Sequence, residues 1–191
     1  YAGSLVNPAI LSMAGSDCRI YNSAEMTLEQ VLAVMERAPD ADIVRLHTGD
    51  PCLYGAIREQ MDALDRLGIA WDDTPGVSSF CGAAAALGAE FTLPGVSQSV
   101  IITRMAGRTP VPEGESLEQL AKHGASMSIF LSAGMLERVQ AALLAGAYTE
   151  DTPAAIVYKA TWPEEKIVRC TVGTLAETVE GAGLTKTALI I

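Results

Sequence analysis

The amino-acid sequence predicts an α/β protein of two α/β domains, the first with a mainly parallel sheet and the second with a mixed sheet. Three observations support this class. Short apolar runs alternate with amphipathic stretches along the 191 residues. Capping-box signals for helix starts occur in both halves of the chain. Two expected strands near the end are joined by a link so short that they can pair only antiparallel, which makes the second sheet mixed.

In the first half, the clearest element is a helix that begins after Thr27. Thr27 and Gln30 have capping-box spacing, and Val31 and Met35 follow on one apolar face. Gly68 is the expected end of a later helix, because glycine is the usual residue at a helix C-terminus. The other elements expected here are strands over 19–21, 42–47 and 69–71, and helices over 54–67 and 77–87.

A break at Leu93-Pro94-Gly95 separates the two halves, so we place the domains at 1–95 and 96–191. Ser116 and Gln119 form the second expected capping box. The strands at 154–159 and 166–172 form the expected antiparallel pair. The remaining elements are strands over 99–103 and 128–131, a helix over 135–144 and a strand in the tail at 187–191.

Composition and charge exclude several classes of protein. The net charge of -10 argues against nonspecific nucleic-acid binding, which needs a basic surface. No apolar run reaches the roughly 20 residues that cross a membrane, and no export signal is seen. The cysteines at 18, 52, 81 and 170 match no metal or disulfide spacing. We therefore expect buried free thiols, no bound metal and a reducing cytoplasm.

Two loops that follow predicted strands are the candidate ligand sites of the first half. Ligands of open α/β sheets bind beyond the carboxyl ends of strands. His47-Thr48-Gly49-Asp50-Pro51 offers glycine for close backbone approach and a carboxylate acceptor, but it also suits an ordinary turn. The 75–82 loop carries Ser78 and Ser79, which could hold a ligand or cap a helix. A nucleophile elbow is excluded, because Phe80 stands where its last glycine belongs.

A local positive window lies between residues 91 and 112. It contains Arg104 and Arg108 but no aspartate or glutamate. Guanidinium groups bind carboxylates through paired hydrogen bonds, so both arginines are candidate anchors for an acidic substrate. A solvated loop is the equally weighted alternative.

Five sequence blocks follow one another along essentially the whole chain: HTGDPCLYGA (47–56), PGVSSFCGAAAALGAEFTLP (75–94), ITRMAGRTP (102–110), SIFLSAGML (128–136) and TPAAIVYKATWPEEKIV (152–168). In this order they resemble the tetrapyrrole methylase family. Within that family, YAGSLV at the start and the segments RLHTGDPCLYGAIREQ, ITRMAGRTP and KATWPEEK are most similar to the branch that methylates carbon 11 of precorrin-4.

The resemblance implies a fold, a cosubstrate and a set of site residues. Members have two α/β domains with S-adenosylmethionine bound in the cleft between them, usually in a homodimer. The family's opening strand and Gly-Pro-Gly-Asp loop, which line the active site, are absent from this sequence. The positions that match cofactor contacts are Thr48, Gly49, Asp50, Leu53, Ser78, Ser79, Leu131 and Ala160.

The reaction implied by the resemblance moves a methyl group from a sulfonium to a ring carbon of a tetrapyrrole. The sulfonium is already activated, so no metal is required, and no residue stands out as the catalytic base. The tetrapyrrole carries several carboxylates, for which Arg104 and Arg108 are the candidate anchors. The alternatives are a sister enzyme such as a uroporphyrinogen III methyltransferase or a noncatalytic ligand-binding relative. A ribosomal RNA methylase is disfavoured by the acidic charge.

Overall fold

The computed structural model describes residues 1, 3–38, 40–180 and 187–191. The chain forms two compact units, Tyr1–Ser79 and Phe80–Ile191. This division by compactness lies earlier in the chain than the boundary placed between residues 95 and 96, which stays a prediction about the domains.

The described residues of the first unit form two α-helices and short 3₁₀ segments. Helix α1 spans Leu28–Glu36 and begins with the predicted capping box, since Thr27 Oγ1 accepts from the Gln30 amide and the Gln30 side chain accepts from the Thr27 amide. Helix α2 spans Arg58–Leu67, and Gly68 ends it with a φ of 68° as predicted. The 3₁₀ helices are Gly3–Leu5, Pro8–Met13 and Ser23–Glu25.

The expected start of α2 at residue 54 is wrong. Tyr54 and Ala56 have φ angles of 58° and 51°, which lie in the left-handed region and cannot continue a right-handed helix. Tyr54 instead ends the turn over residues 51–54, and Ala56 lies in the irregular link between that turn and α2.

The strands expected at 19–21, 42–47 and 69–71 are also wrong. These segments carry no strand pairing among the described residues of the first unit. An extended segment becomes a strand only when a neighbouring main chain exchanges hydrogen bonds with it. Val44, for example, is 77% exposed. The parallel sheet expected in the first domain is therefore not seen in this described part of the chain.

The second unit contains a five-stranded mixed sheet of order β1-β2-β5-β3-β4, which confirms the α/β class and the mixed sheet. β1 runs parallel to β2, and the other neighbours are antiparallel. β3 and β4 form the predicted antiparallel pair, in which Pro153 faces Thr171 and Tyr158 faces Lys166. The strands are β1 Val100–Arg104, β2 Ser126–Phe130, β3 Pro153–Tyr158, β4 Lys166–Thr171 and β5 Ala188–Ile190.

The strand directions place three carboxyl ends at one edge of this sheet. β2 and β3 each pair antiparallel with β5, so they point the same way, and β1 is parallel to β2. The loops that follow β1, β2 and β3 therefore emerge at a common edge, which we call the carboxyl edge.

The helices of the second unit are α3 Ser79–Leu87, which starts at the last residue of the first unit, α4 Leu117–Ala121, α5 Leu136–Leu144 and α6 Glu177–Glu180, with 3₁₀ turns at Glu113–Glu115 and Val172–Thr174. α5 buries Leu136, Val139 and Leu143 in the main core of this unit.

The capping box at Ser116 is only half formed. Ser116 Oγ accepts from the Gln119 amide, but the Gln119 side chain accepts from Lys122 instead. None of the described helices has the length and apolarity needed to span a membrane.

Candidate active site

Asp50 joins the two loops that the sequence singled out in the first unit. Its Oδ1 accepts from the Cys52 amide at 2.8 Å, and its Oδ2 accepts from the Gly76 amide at 3.1 Å. Both carboxylate oxygens are therefore engaged by main-chain N–H groups. The carboxylate orders the 47–51 loop against the 75–79 segment.

Glycine is required where these two loops meet. A Cβ added at Gly76 would overlap the carbonyl oxygen of Gly49. Gly49 has a φ of 65°, and a Cβ there would lie 3.3 Å from the Ser79 amide nitrogen. The backbones approach as closely as this only because neither residue has a side chain.

The first unit thus brings together six of the predicted cofactor positions. Leu53 donates its amide to the Asp50 carbonyl at 3.2 Å and stays in the same turn. The other members of this set differ in exposure: Thr48, Gly49 and Ser79 are exposed, whereas Asp50 is half-buried and Ser78 is buried. All six positions lie within residues 48–53 and 76–79, and we call these two segments together the loop junction.

Behind the loop junction lies a cavity of about 400 Å³ whose walls include Arg45, His47, Trp71 and Asp73. Burial lowers the pKa of His47, Arg45 lowers it further, and Asp73 opposes this effect. His47 is therefore neutral near pH 7.

The carboxyl edge of the second unit collects the remaining candidates. Arg104 ends β1, Leu131 follows β2, and Ala160 lies two residues after β3. Leu131 is 70% exposed. These positions belong to loops that the sheet topology places side by side, although they lie far apart in the sequence.

Backbone strain is concentrated at this same edge. Leu131, Lys159, Thr161 and Thr187 have φ angles between 46° and 72° and are the described non-glycine residues of the second unit with positive φ. Such conformations cost about 1–3 kcal/mol each and cluster at functional sites. Sequence reasoning missed them, because none of the four residues has a side chain that favours this conformation.

Ala160 sits between two of these strained residues in a turn held by its neighbours. The Lys159 ammonium lies 4.6 Å from the centre of the Trp162 ring and 3.8 Å from Glu164. The Thr161 amide donates to Glu165 at 2.7 Å. The residues on both sides of Ala160 are therefore each fixed by a contact within the same turn.

The two arginines have different environments. The Arg104 guanidinium donates to the carbonyls of Thr109 at 2.9 Å and Pro110 at 2.7 Å, with a longer contact to Met105 at 3.5 Å. Arg108 is exposed and makes no hydrogen bond or ion pair with the described residues. Of the two cations in residues 91–112, Arg104 is thus held by hydrogen bonds to main-chain carbonyls, and Arg108 has its donors available.

Sequence reasoning also missed Ser132, which is fully buried. Its hydroxyl accepts from the Met105 amide at 2.9 Å and donates to the Phe130 carbonyl at 2.6 Å. The loops after β1 and β2 are tied together through this one side chain. In the sequence, the one signal for this joining role is the position of Ser132, four residues after Ser128 of β2.

The cysteines are free, as expected, but the expectation of burial is wrong. Cys18, Cys52 and Cys81 are exposed, and Cys170 is half-buried. The Cys52 thiol donates to Asp73, and this hydrogen bond raises its pKa. It is therefore protonated and a poor nucleophile at pH 7. Among the described residues, no group of three or more histidine, cysteine or acidic side chains could hold a metal ion.

The chain is similar to proteins whose function is known. A cobalt-precorrin-4 C(11)-methyltransferase of Methanocaldococcus jannaschii is 53% identical over 100% of this chain and 74% of its own length. The X-ray structure of a cobalt precorrin-4 methyltransferase, a cobalamin biosynthetic enzyme, matches with a TM-score of 0.96 and 44% identity over 100% of this chain and 80% of that one.

A more distant solved structure shares the fold. It is the uroporphyrin-III C-methyltransferase of Thermus thermophilus complexed with S-adenosylhomocysteine, with a TM-score of 0.76 and 21% identity over 98% of this chain and 81% of that one. The sequence profile of the Tetrapyrrole (Corrin/Porphyrin) Methylases matches residues 1–176. The chain therefore belongs to the tetrapyrrole methylase family, as its sequence blocks predict.

Proposed function

We propose that this protein is an S-adenosylmethionine-dependent methyltransferase that methylates carbon 11 of precorrin-4 in cobalamin biosynthesis. The observation that carries the proposal is the 53% identity to a cobalt-precorrin-4 C(11)-methyltransferase over the whole chain. We take the cobalt-containing tetrapyrrole as the preferred substrate. The uroporphyrin-III enzyme is the weaker candidate, because its identity to this chain is only 21%.

The methyl donor is proposed to bind at the positions that match the family's cofactor contacts, which are the loop junction in the first unit and Leu131 and Ala160 in the second. S-adenosylmethionine supplies an activated methyl group, so the protein needs to provide position rather than a nucleophile. The loop junction offers main-chain groups in a defined arrangement. Asp50 holds the two loops together, and glycine at positions 49 and 76 lets their backbones approach closely. Leu131 offers an exposed apolar side chain for a ligand to cover.

Preorganisation is the main catalytic contribution we assign to this chain. The methyl–sulfur bond breaks as the new carbon–carbon bond forms, S-adenosylhomocysteine leaves, and the methylated tetrapyrrole releases a proton. Holding two reactants in line can lower a barrier by roughly 7–11 kcal/mol in the best intramolecular models. The strained turns of the carboxyl edge and the locked loop junction are suited to hold reactants in this way. We further propose that the protein forms a homodimer and is located in the cytoplasm.

A substrate panel tests this function. The full-length protein with radiolabelled S-adenosylmethionine is expected to methylate cobalt-precorrin-4 fastest, metal-free precorrin-4 more slowly and uroporphyrinogen III negligibly. Preference for uroporphyrinogen III would assign the sister activity. Donor binding without transfer to any of the three would instead indicate a noncatalytic ligand-binding protein.

Replacing Asp50 by alanine is expected to weaken S-adenosylhomocysteine binding by roughly 10- to 100-fold. The change leaves the amides of Cys52 and Gly76 without their acceptor, and the loss of a charged hydrogen-bond partner costs about 1.5–3 kcal/mol. Asp50→Asn keeps one carbonyl acceptor and should lie between. Isothermal titration calorimetry measures both, with exposed Asp151→Ala as the matched control. An unchanged affinity in Asp50→Ala would remove Asp50 from the donor site.

A further inference from the structure

The loop after β1, residues 105–110, is folded around the side chain of the residue that precedes it. Arg104 donates to the carbonyls of Thr109 and Pro110, and its longer contact reaches Met105. The Gly107 amide also donates to the Thr109 carbonyl at 3.3 Å. A guanidinium has five N–H donors in a planar fork, so one side chain can hold several main-chain acceptors at once.

The base of this loop is fixed and its tip is open. Met105 is buried, and its amide is held by the buried Ser132. Residues 107–110 are exposed, and Gly107 lies against Met135, since a Cβ at Gly107 would be 3.6 Å from the Met135 methyl carbon. The loop is thus anchored at one end by the core and closed at the other by the Arg104 guanidinium.

Arg108 stands at the open tip with its donors available. It makes no hydrogen bond or ion pair with the described residues, and residues 91–112 contain no acid that could neutralise it. Moving the Arg104 guanidinium onto a ligand would remove its hydrogen bond to the Pro110 carbonyl and leave the Thr109 carbonyl with only the longer bond from the Gly107 amide. Arg108 can bind an anion without breaking any such bond.

We infer that Arg104 is a positioning residue, which shapes the 105–110 loop so that Arg108 binds a carboxylate of the tetrapyrrole. This inference rests on the proposed function for the identity of the substrate. It replaces the expectation that both arginines contact the carboxylates directly. Arg108 touches the substrate, and Arg104 acts through Arg108.

Kinetics of single variants test the two roles. Arg108→Ala is expected to raise the KM for cobalt-precorrin-4 by roughly 10- to 100-fold, because a charged hydrogen-bond partner is lost, with little change in kcat. Arg104→Ala is expected to raise the same KM to a similar extent. Arg104→Lys keeps the charge and much of the stem but lacks the planar fork, so it should not restore the KM. Exposed Arg66→Ala is the control.

Hydrogen exchange separates positioning from direct contact. Without substrate, the amide hydrogens of residues 106–109 should exchange faster in Arg104→Ala and Arg104→Lys than in wild type. In Arg108→Ala their exchange should be unchanged.

The double variant Arg104→Ala/Arg108→Ala should have the same KM as either single variant. Each single variant already loses the contact between Arg108 and the substrate, so the second substitution removes nothing more. Guanidinium added at millimolar concentration should lower the KM of Arg104→Ala but not that of the double variant.

Two results would overturn the inference. One is a double variant whose KM rise is the product of the two single rises, since that indicates two independent contacts. The other is unchanged exchange at 106–109 in the Arg104 variants. If Arg104→Ala does not fold, Arg104→Lys carries both measurements. Failure of the proposed function has a different signature, because wild type would then transfer no methyl group to cobalt-precorrin-4, while the exchange experiment still decides the role of Arg104.

Discussion

Gly76→Ala is expected to abolish measurable binding of the methyl donor and to destabilise the protein. The new methyl group would overlap the Gly49 carbonyl oxygen, so the two loops must separate. Separation stretches the hydrogen bond from the Gly76 amide to Asp50, which joins them. Overpacking of this kind typically costs about 1–3 kcal/mol of stability. We expect the affinity for S-adenosylhomocysteine to fall at least about 100-fold, since the loop junction loses its shape.

Calorimetry and thermal unfolding measure these two effects of Gly76→Ala. Gly114→Ala is the matched control, because a Cβ at Gly114 meets nothing within 4 Å and its backbone is not left-handed. A Gly76→Ala protein that binds the donor like wild type would show that the loop junction is not part of the donor site. A bound structure of that variant would then locate the site elsewhere.

Gly146→Ala is expected to cause the largest loss of stability in the second unit. A Cβ at Gly146 would lie 2.5 Å from the Ala121 Cβ and 2.6 Å from the Ala121 carbonyl carbon. Ala121 is fully buried, and its carbonyl accepts from the Ala147 amide at 3.0 Å. α4 and the end of α5 must therefore move apart, which exposes core and breaks that bond. We expect a loss of about 3 kcal/mol or more, at the upper end of the overpacking range.

Urea denaturation of Gly146→Ala beside Gly15→Ala measures this loss. A Cβ at Gly15 meets nothing within 4 Å, so the control should unfold like wild type. The midpoint of Gly146→Ala should fall while the slope of the transition stays constant. Equal midpoints for the two variants would mean that the contact between α4 and α5 adjusts without cost.

Helix boundaries were predictable where the signal is local. The capping box at Thr27 and the helix end at Gly68 depend on residues within one turn of each other, and both are confirmed. The box at Ser116 failed in part, because Lys122 competes for the Gln119 side chain. The start of α2 failed, because nothing in the sequence reveals that Tyr54 and Ala56 adopt left-handed backbone conformations.

The sequence supplied the positions of the candidate site, whose part in ligand binding stays a prediction, but not the partners of each side chain. The family blocks pointed to Asp50, which lies in the 47–51 loop, and the acid-free window pointed to Arg104, which ends β1, and to Arg108 in the loop that follows. Their hydrogen-bond partners were hidden, because Asp50 bonds to Gly76 and Arg104 bonds to carbonyls that follow it. A sequence reports which donors and acceptors exist, whereas their pairing depends on the path of the main chain.

By itself, the sequence determined the α/β class, the mixed sheet and the methylase family, because apolar periodicity, a short strand link and ordered motif blocks are properties of the chain alone. Tertiary structure decided which extended segments became strands, since pairing requires a neighbouring main chain. It also decided that the loops after β1, β2 and β3 share one edge, because that follows from strand directions through β5. The left-handed backbone at Leu131, Lys159 and Thr161 is likewise a property of the folded chain, because none of these side chains favours a positive φ.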